Sequence, residues 1–206
     1  FPSHDIIEYV NKLAQLDVRE ISLLGQNVNQ YGQDSGDIPF WELLEKVSHV
    51  DGIEKINFLT SHPKDFSPEI VRVIRDRENV SPAIHLPLQS GSDRILSLMN
   101  RGYTFHDYMK TVDCIREMLP VYSISTDLIV GFPGEEEDDF QATLSAVQEI
   151  RFDEAFMYAY SPRSGTPSAG IPETISHNAK ISRLQNLIDC QRLISRERMN
   201  ARIGSI

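Results

Sequence analysis

The residues best suited to chemistry fall in short polar clusters, each directly after or within an apolar run. Gly25-Gln26-Asn27-Val28-Asn29 follows one run, Thr60-Ser61-His62-Pro63 a second, and Gln89-Ser90-Gly91-Ser92 a third. Ser125 and Asp127 lie in a fourth run that ends in Gly131-Phe132-Pro133-Gly134-Glu135, and Ser161-Pro162-Arg163-Ser164-Gly165-Thr166-Pro167 follows a fifth. Amides, hydroxyls, a carboxylate and an arginine after apolar runs are the groups that orient a small polar ligand. Each cluster also has a plainer use. Asn27 and Asn29 suit turn geometry as well as binding. Ser90 and Ser92 suit helix N-caps, Ser92 above all, and His62 before Pro63 suits a turn. No second histidine recurs at metal spacing, so no zinc site is expected. The "GEEEDD" run first reads as carboxylates at a helix N-terminus. Asp127 resists the plain reading best. In a strand otherwise able to be buried, a carboxylate costs roughly several kcal/mol unless it is paired.

The elements that must position these clusters alternate along the chain. Ser3 to Leu16 reads as a helix with Ile6, Ile7, Val10 and Leu13 on one face and Ser3 as N-cap. Strands are expected over Val18–Leu24, "IEKINFLT", Ala83–Leu88, "YSISTDLIVGF" and "FDEAFMYAY". Helices are expected over Phe40–Val47, from Pro68 with Ser67 as its cap, in two stretches up to Leu119, and over "EEEDDFQATLSAVQEI". A long helix from Ser176 to Met199 carries Ile181, Leu184, Leu187, Ile188 and Ile194. Repeated strand–helix alternation marks βα units with parallel strands, mostly apolar on both faces. Ligands of such folds bind where the strands end in loops to helices. All of the polar clusters are there, whereas opposite ends such as "NKLAQLDVRE" read as solubilising turns.

With 206 residues, 40% of them hydrophobic and 24% charged, the chain fits one ordinary globular domain. No apolar run approaches the roughly 20 residues of a membrane span, and a cytoplasmic location with no membrane partner is expected. Cys114 and Cys190 form no C-x-x-C pattern and read as buried, reduced thiols in helices, too few to ligate an iron–sulfur cluster in the usual way. The net charge of −10 argues against a basic cradle for nucleic acid but leaves room for a local basic patch.

The segments "LLGQNVNQYG", "TSHP", "HLPLQSGSDRILSLMNRGYT", "STDLIVGFPGE" and "YSPRSGTPSA" stand in the order and spacing of the radical-SAM methylthiotransferases, which the chain resembles from Pro2 to Ile206. "LLGQNVNQY" with "LPLQSGS" is more similar to the tRNA-adenosine (MiaB-type) branch than to the relatives that modify a ribosomal protein. Those tend to carry a histidine where this chain has Ser90.

The resemblance implies an α/β fold, a partial parallel (β/α) barrel of the radical-SAM, TIM-like type. It implies 4Fe–4S clusters, S-adenosyl-L-methionine cleaved reductively with the help of an electron donor, and methylthiolation at C2 of an isopentenylated adenosine beside the anticodon of tRNA. The family's C-x-x-x-C-x-x-C cluster loop is absent from this sequence. Residues 1–206 are therefore expected to be the core barrel of a longer enzyme, without its first strand, its N-terminal methylthiotransferase domain and its C-terminal TRAM domain. Alone, this piece is expected to be inactive, and its exposed strand edge at "VREISLLG" to favour self-association.

By the same resemblance Gln89 and Asp127 match the positions that take the ribose hydroxyls, and Arg101 the one that pairs with the methionyl carboxylate, where a guanidinium fork suits best. Ser61, with Thr60, matches an acceptor for the ammonium group, and Gln26 and Asn27 are expected to touch cofactor or adenosine. Gly131 and Gly134 would bring backbone near the adenine, with Tyr160 and Ser161 flanking the ring. A mutual hydrogen bond between Gln89 and Asp127 is the plainer alternative for that pair. A ribosomal-protein methylthiotransferase and a barrel adaptor without chemistry are the alternative functions.

Overall fold

A computed structural model describes residues 1–33, 35–59, 61–163 and 165–204. The chain divides into two units, residues 1–86 with 110–123 and residues 87–109 with 124–206. The helix Phe105–Met118 (α5) contributes residues to both ranges.

The first unit holds α1 (Ser3–Gln15), β1 (Glu20–Leu23), α2 (Phe40–Ser48), β2 (Lys55–Phe58), α3 (Pro68–Asp76) and β3 (Ala83–His85). β1 and β2 pair in parallel with Ile21 opposite Ile56, and Val80 bridges to Ile56 on the far side. Ile56, Phe58, Leu44, Val47, Ile70 and Val71 are buried as its core, with Phe40 edge-on to Phe58 at 5.4 Å. Each large aliphatic side chain so buried contributes about 1.5–3 kcal/mol before entropy is charged against it.

Two sequence expectations change here. The N-cap of α1 is Pro2, not Ser3. The Ser3 backbone N–H and hydroxyl both donate to the Asp37 carboxylate at 2.6 Å, and Tyr31 donates its hydroxyl to Asp37 at 3.0 Å. The start of α1 is thereby tied to the loop after β1, a long-range use of serine that no local pattern shows. The strands are also shorter than expected, β1 beginning only at Glu20 because Asp17 adopts a left-handed backbone at φ 61°. Ser67 does stand at the N-cap of α3, ahead of Pro68 in the first turn, without a side-chain bond.

The second unit holds α4 (Asp93–Leu98), most of β4 (Ser123–Val130), α6 (Glu137–Ile150), β5 (Glu154–Ala159) and α7 (His177–Arg202). β4 and β5 pair in parallel, with Asp127 opposite Phe156 and Ile129 opposite Tyr158. The strands are not apolar on both faces. In β4, Ile124, Thr126, Leu128 and Val130 are buried, whereas Ser125, Asp127 and Ile129 face an open side. The alternation "SISTDLIV" carries that signal at period 2.

α6 begins with the expected run of acids. Glu136 is its N-cap, and Asp139 closes a capping box by accepting from the Glu136 N–H at 2.8 Å. In α7 the apolar stripe is narrower than expected. Leu187 and Ile194 are buried, as are Lys180 and Gln191, but Ile181 is exposed. Gln191 takes that place because its amide donates to the Phe152 carbonyl at 2.8 Å, closing the turn that leads into β5. Cys114 and Cys190 lie in helices as expected, free but half-buried rather than buried.

Candidate functional site

The Gln89–Ser92 turn shows why an amide, two hydroxyls and a glycine follow Leu88. Ser90 is not a helix cap, since its hydroxyl shares a hydrogen with Thr143 of α6 at 3.2 Å. Gly91 donates its N–H to the same Thr143 hydroxyl at 3.0 Å, and a Cβ on Gly91 would stand 2.5 Å from the Ala142 carbonyl oxygen. Only glycine lets the turn lie this close to the α6 backbone. Ser92 caps α4, accepting from the Ile95 N–H, and donates to Asp139 at 2.6 Å. Arg94 pairs with the same carboxylate. Burial acts to raise the Asp139 pKa, but the hydrogen bonds from Arg94, Ser92 and the Glu136 N–H outweigh it, and the net shift is downward.

Gln89 stands just ahead of these anchored residues. Its backbone has φ 71°, uncommon for a residue with a Cβ, and bridges β4 by donating to the Asp127 carbonyl at 2.8 Å and accepting from the Ile129 N–H at 2.9 Å. It lines a cavity of about 910 Å³ together with Arg101, Asp127, Tyr158, Tyr160 and Arg163. Arg101 arrives because α4 ends at Leu98, with Met99 as its C-cap, and Asn100 then reverses the chain at φ 56°. Its guanidinium lies 5.8 Å from the Tyr103 ring, with Nε 3.4 Å from a Tyr103 hydroxyl that itself donates to the Leu88 carbonyl at 2.9 Å. Asp127 is half-exposed on the open face, which relieves the desolvation expected of a buried carboxylate.

The remaining expected residues are placed as follows. Tyr160 packs edge-on against Phe132 at 5.1 Å, and its hydroxyl is buried without a hydrogen-bond partner among the described residues. Gly131 and Gly134 are not in the cavity lining, although Phe132 between them is. Gly131 has φ 73° and lies against Lys180, whose Cγ would be 2.5 Å from an added Cβ. Gly134 accepts from Arg94 at 2.7 Å through its carbonyl. Glu135 receives the Gly131 N–H at 3.0 Å and Arg183 at 2.6 Å, while burial pushes its carboxyl up against the pull of both.

Gln26, Asn27 and Ser61 belong to the first unit. The Asn27 amide donates to Asp65 at 2.8 Å, joining the loops after β1 and β2. Asn27 Oδ1, both amide atoms of Asn29 and the Ser61 hydroxyl are buried without partners among the described residues. Unmet buried polar groups cost about 1–3 kcal/mol each, and a bound polar ligand or water relieves that cost. His62 serves the turn, its ring nitrogen accepting from the Lys64 N–H at 3.3 Å. Thr60 lies outside the described residues.

Lys180 carries no signal in the sequence, and Arg163 stands there in a polar cluster without a role of its own. Lys180 is buried, pairs with Glu173 at 3.0 Å and sits 5.3 Å from the centre of the Tyr160 ring. A lysine in a helix that reads as amphipathic gives no sign of this. Arg163 stands inside a quoted segment, but its significance depends on which acids lie near it in space.

Residues 2–147 match the family described as the Radical SAM superfamily. The chain belongs to that superfamily. It is 50% identical over 199 residues to the tRNA-2-methylthio-N(6)-dimethylallyladenosine synthase of Natranaerobius thermophilus, covering 96% of this chain and 44% of that protein. To the protein of the same name from Caldicellulosiruptor saccharolyticus it is 47% identical over 203 residues, covering 98% and 43%. The chain thus spans less than half the length of these curated relatives. Among solved structures, the radical S-adenosylmethionine methyltransferase TsrM of Kitasatospora setae aligns with a TM-score of 0.63 at 15% identity over 81% of this chain and 30% of that one. Coproporphyrinogen III oxidase of Escherichia coli aligns at 0.57 and 18% identity over 93% and 46%. These likenesses establish the radical-SAM fold expected of an α/β chain with parallel strands.

The donor set suits S-adenosylmethionine, which presents ribose hydroxyls, a carboxylate, an ammonium group and an adenine. It does not suit a 4Fe–4S cluster. Burial pushes both thiols up, and no group of three or more His, Cys, Asp or Glu able to hold a metal occurs among the described residues. No helix among those residues is long and apolar enough to cross a membrane.

Proposed function

We propose that the chain is the cofactor-holding core barrel of a tRNA methylthiotransferase that modifies C2 of an isopentenylated adenosine. The observation that carries this reading is the convergence of Gln89, Arg101, Asp127 and Tyr160 on one cavity. The similarity to curated synthases of that modification supports the substrate. Segments outside residues 1–206 supply the cluster ligands and the flanking domains in this reading, and an electron donor reduces the cluster.

S-adenosylmethionine supplies the C–H-cleaving chemistry, which side-chain acids and bases cannot. The protein's own task is to orient it. Gln89 and Asp127 hold the ribose hydroxyls, and the Arg101 fork holds the methionyl carboxylate. Tyr160 and Ser161 flank the adenine, the Tyr160 hydroxyl gaining a partner that it lacks among the described residues. Gly131 and Gly134 act through the shape of the segment that carries Phe132 into the cavity lining. Ser61, Gln26 and Asn27 keep the roles that the resemblance implies, Ser61 toward the ammonium group and Gln26 and Asn27 toward cofactor or adenosine, supported by the Ser61 and Asn27 oxygens that are buried without partners among the described residues.

The test uses the full-length protein, reconstituted anaerobically with iron and sulfide and given tRNA bearing the isopentenylated base. Mass spectrometry of the digested tRNA should show the methylthio group at adenosine. Methylthiolation of a ribosomal protein with unmodified tRNA would reassign the substrate.

A further inference from the structure

The chain carries 30 acidic against 20 basic residues, and its arginines are mostly neutralised where they stand. Arg19, Arg72, Arg75, Arg77, Arg94, Arg116, Arg151, Arg183, Arg192, Arg198 and Arg202 each have a carboxylate within 4.0 Å. Arg101, Arg163 and Arg196 have none among the described residues. Arg101 and Arg163 line the same cavity, where Asp127 is the one acid of the lining. An acidic protein that leaves two guanidiniums unpaired at one cavity has kept positive charge there for an anionic ligand.

One of the two is already used. Arg101 is assigned to the cofactor carboxylate, which leaves Arg163 without a task. Its backbone is held by a closed turn. The Arg163 carbonyl accepts from the Thr166 N–H at 3.2 Å and from the Thr166 hydroxyl at 2.8 Å, and Thr166 in turn meets the Ser168 hydroxyl at 3.1 Å. The side chain is exposed. A fixed base with a free guanidinium suits recognition of a phosphate, whose geometry an arginine fork meets bidentately.

A second observation lies beside it. On the open face of β5, Phe156 is 44% and Tyr158 is 53% exposed, with Tyr158 in the cavity lining. Their register neighbours on β4 are Asp127 and Ile129. An exposed aromatic on a strand face, sharing a cavity with an unpaired arginine, is what proteins use to hold an unstacked base and its phosphate.

We propose that Arg163 binds a backbone phosphate of the single-stranded RNA segment that delivers the target base, with Tyr158 as a stacking platform for a base of that segment. This rests on the tRNA reading above and adds the two residues that grip the nucleic acid rather than the cofactor. It also gives an acidic chain one unpaired positive charge, on Arg163, for an RNA phosphate to meet.

The test measures binding of a fluorescently labelled anticodon-loop RNA to the full-length protein across a salt series. Arg163→Ala should weaken binding about tenfold and lower the slope of log K against log salt by about 0.7, the value for one phosphate of a single strand. Arg163→Lys should keep most of the slope and recover part of the affinity. Tyr158→Ala should weaken binding about tenfold with the slope unchanged. Release of 5′-deoxyadenosine from S-adenosylmethionine, measured without RNA, should be unchanged in each. Unchanged affinity and slope in Arg163→Ala would overturn the proposal. So would lost cofactor cleavage in that variant, which would move Arg163 to the cofactor, or competition by adenosine monophosphate as strong as by the RNA, which would point to a mononucleotide. Failure of the wild type to cleave S-adenosylmethionine would instead sink the underlying radical-SAM reading, whatever the RNA affinity.

Discussion

Gln89 and Asp127 are joined through their backbones, the Gln89 N–H donating to the Asp127 carbonyl at 2.8 Å, and both side chains line the same cavity. The main chains carry this link, and substitution of the Asp127 side chain leaves it in place. Asp127→Ala should therefore leave the melting temperature within about 2 °C of wild type while weakening S-adenosylmethionine binding in the full-length protein at least about tenfold. A large fall in melting temperature would return Asp127 to a structural role.

Gly91→Ala should be costly. The added methyl would stand 2.5 Å from the Ala142 carbonyl oxygen, backbone that cannot swing aside, and about 1–3 kcal/mol of stability should be lost. Gly170→Ala, where a Cβ meets nothing within 4 Å, is the control and should be near neutral. Urea denaturation of both variants measures the difference.

The strand–helix alternation and the polar strand ends were legible in the sequence because glycine, proline and period-2 patterns mark them locally. Gln89, Arg101, Asp127 and Tyr160 could be picked out together for the same reason, with the resemblance supplying their order. What escaped depends on partners distant in the chain. Ser3 reads as a cap until Asp37 is seen beside it, and Ser90 reads as a cap until Thr143 is. Lys180 reads as surface until Gly131 is found packed on its stem. Arg163 is one arginine among many until the others are seen to be paired.

The pair of Arg183 with the buried Glu135, 2.6 Å apart, gives a second stability test. Arg183→Met leaves the Glu135 carboxylate buried with too few partners, and about 3–5 kcal/mol should be lost. A loss below about 1 kcal/mol in urea unfolding would mean that water reaches the carboxylate.

Asp139 predicts an acid limb. Its folded pKa lies below the ordinary value of about 3.9, so its contribution is complete above that pH and is lost as pH falls further, through the folded value. Asp139→Asn should be less stable than wild type at pH 7, and the gap should narrow below about pH 4. A constant gap from pH 7 to pH 2 would show that the carboxylate's charge is not what holds Ser92 and Arg94.

Among the described residues β1 pairs with β2 alone, and its neighbour Leu24 is exposed. Residues 1–206 expressed by themselves should associate through that edge, giving a mass by light scattering that rises with concentration. A constant monomer mass would show that the edge is protected.

The central claim is that this chain holds S-adenosylmethionine for reductive cleavage. The direct measurement is 5′-deoxyadenosine release by the full-length protein, reconstituted with iron and sulfide, in wild type and Asp127→Ala. The account predicts a cluster spectrum in both, release by the wild type, and release reduced at least about tenfold in the folded variant. A folded wild-type protein that binds no cluster and releases no 5′-deoxyadenosine, or a variant that releases it as fast as wild type, would contradict it.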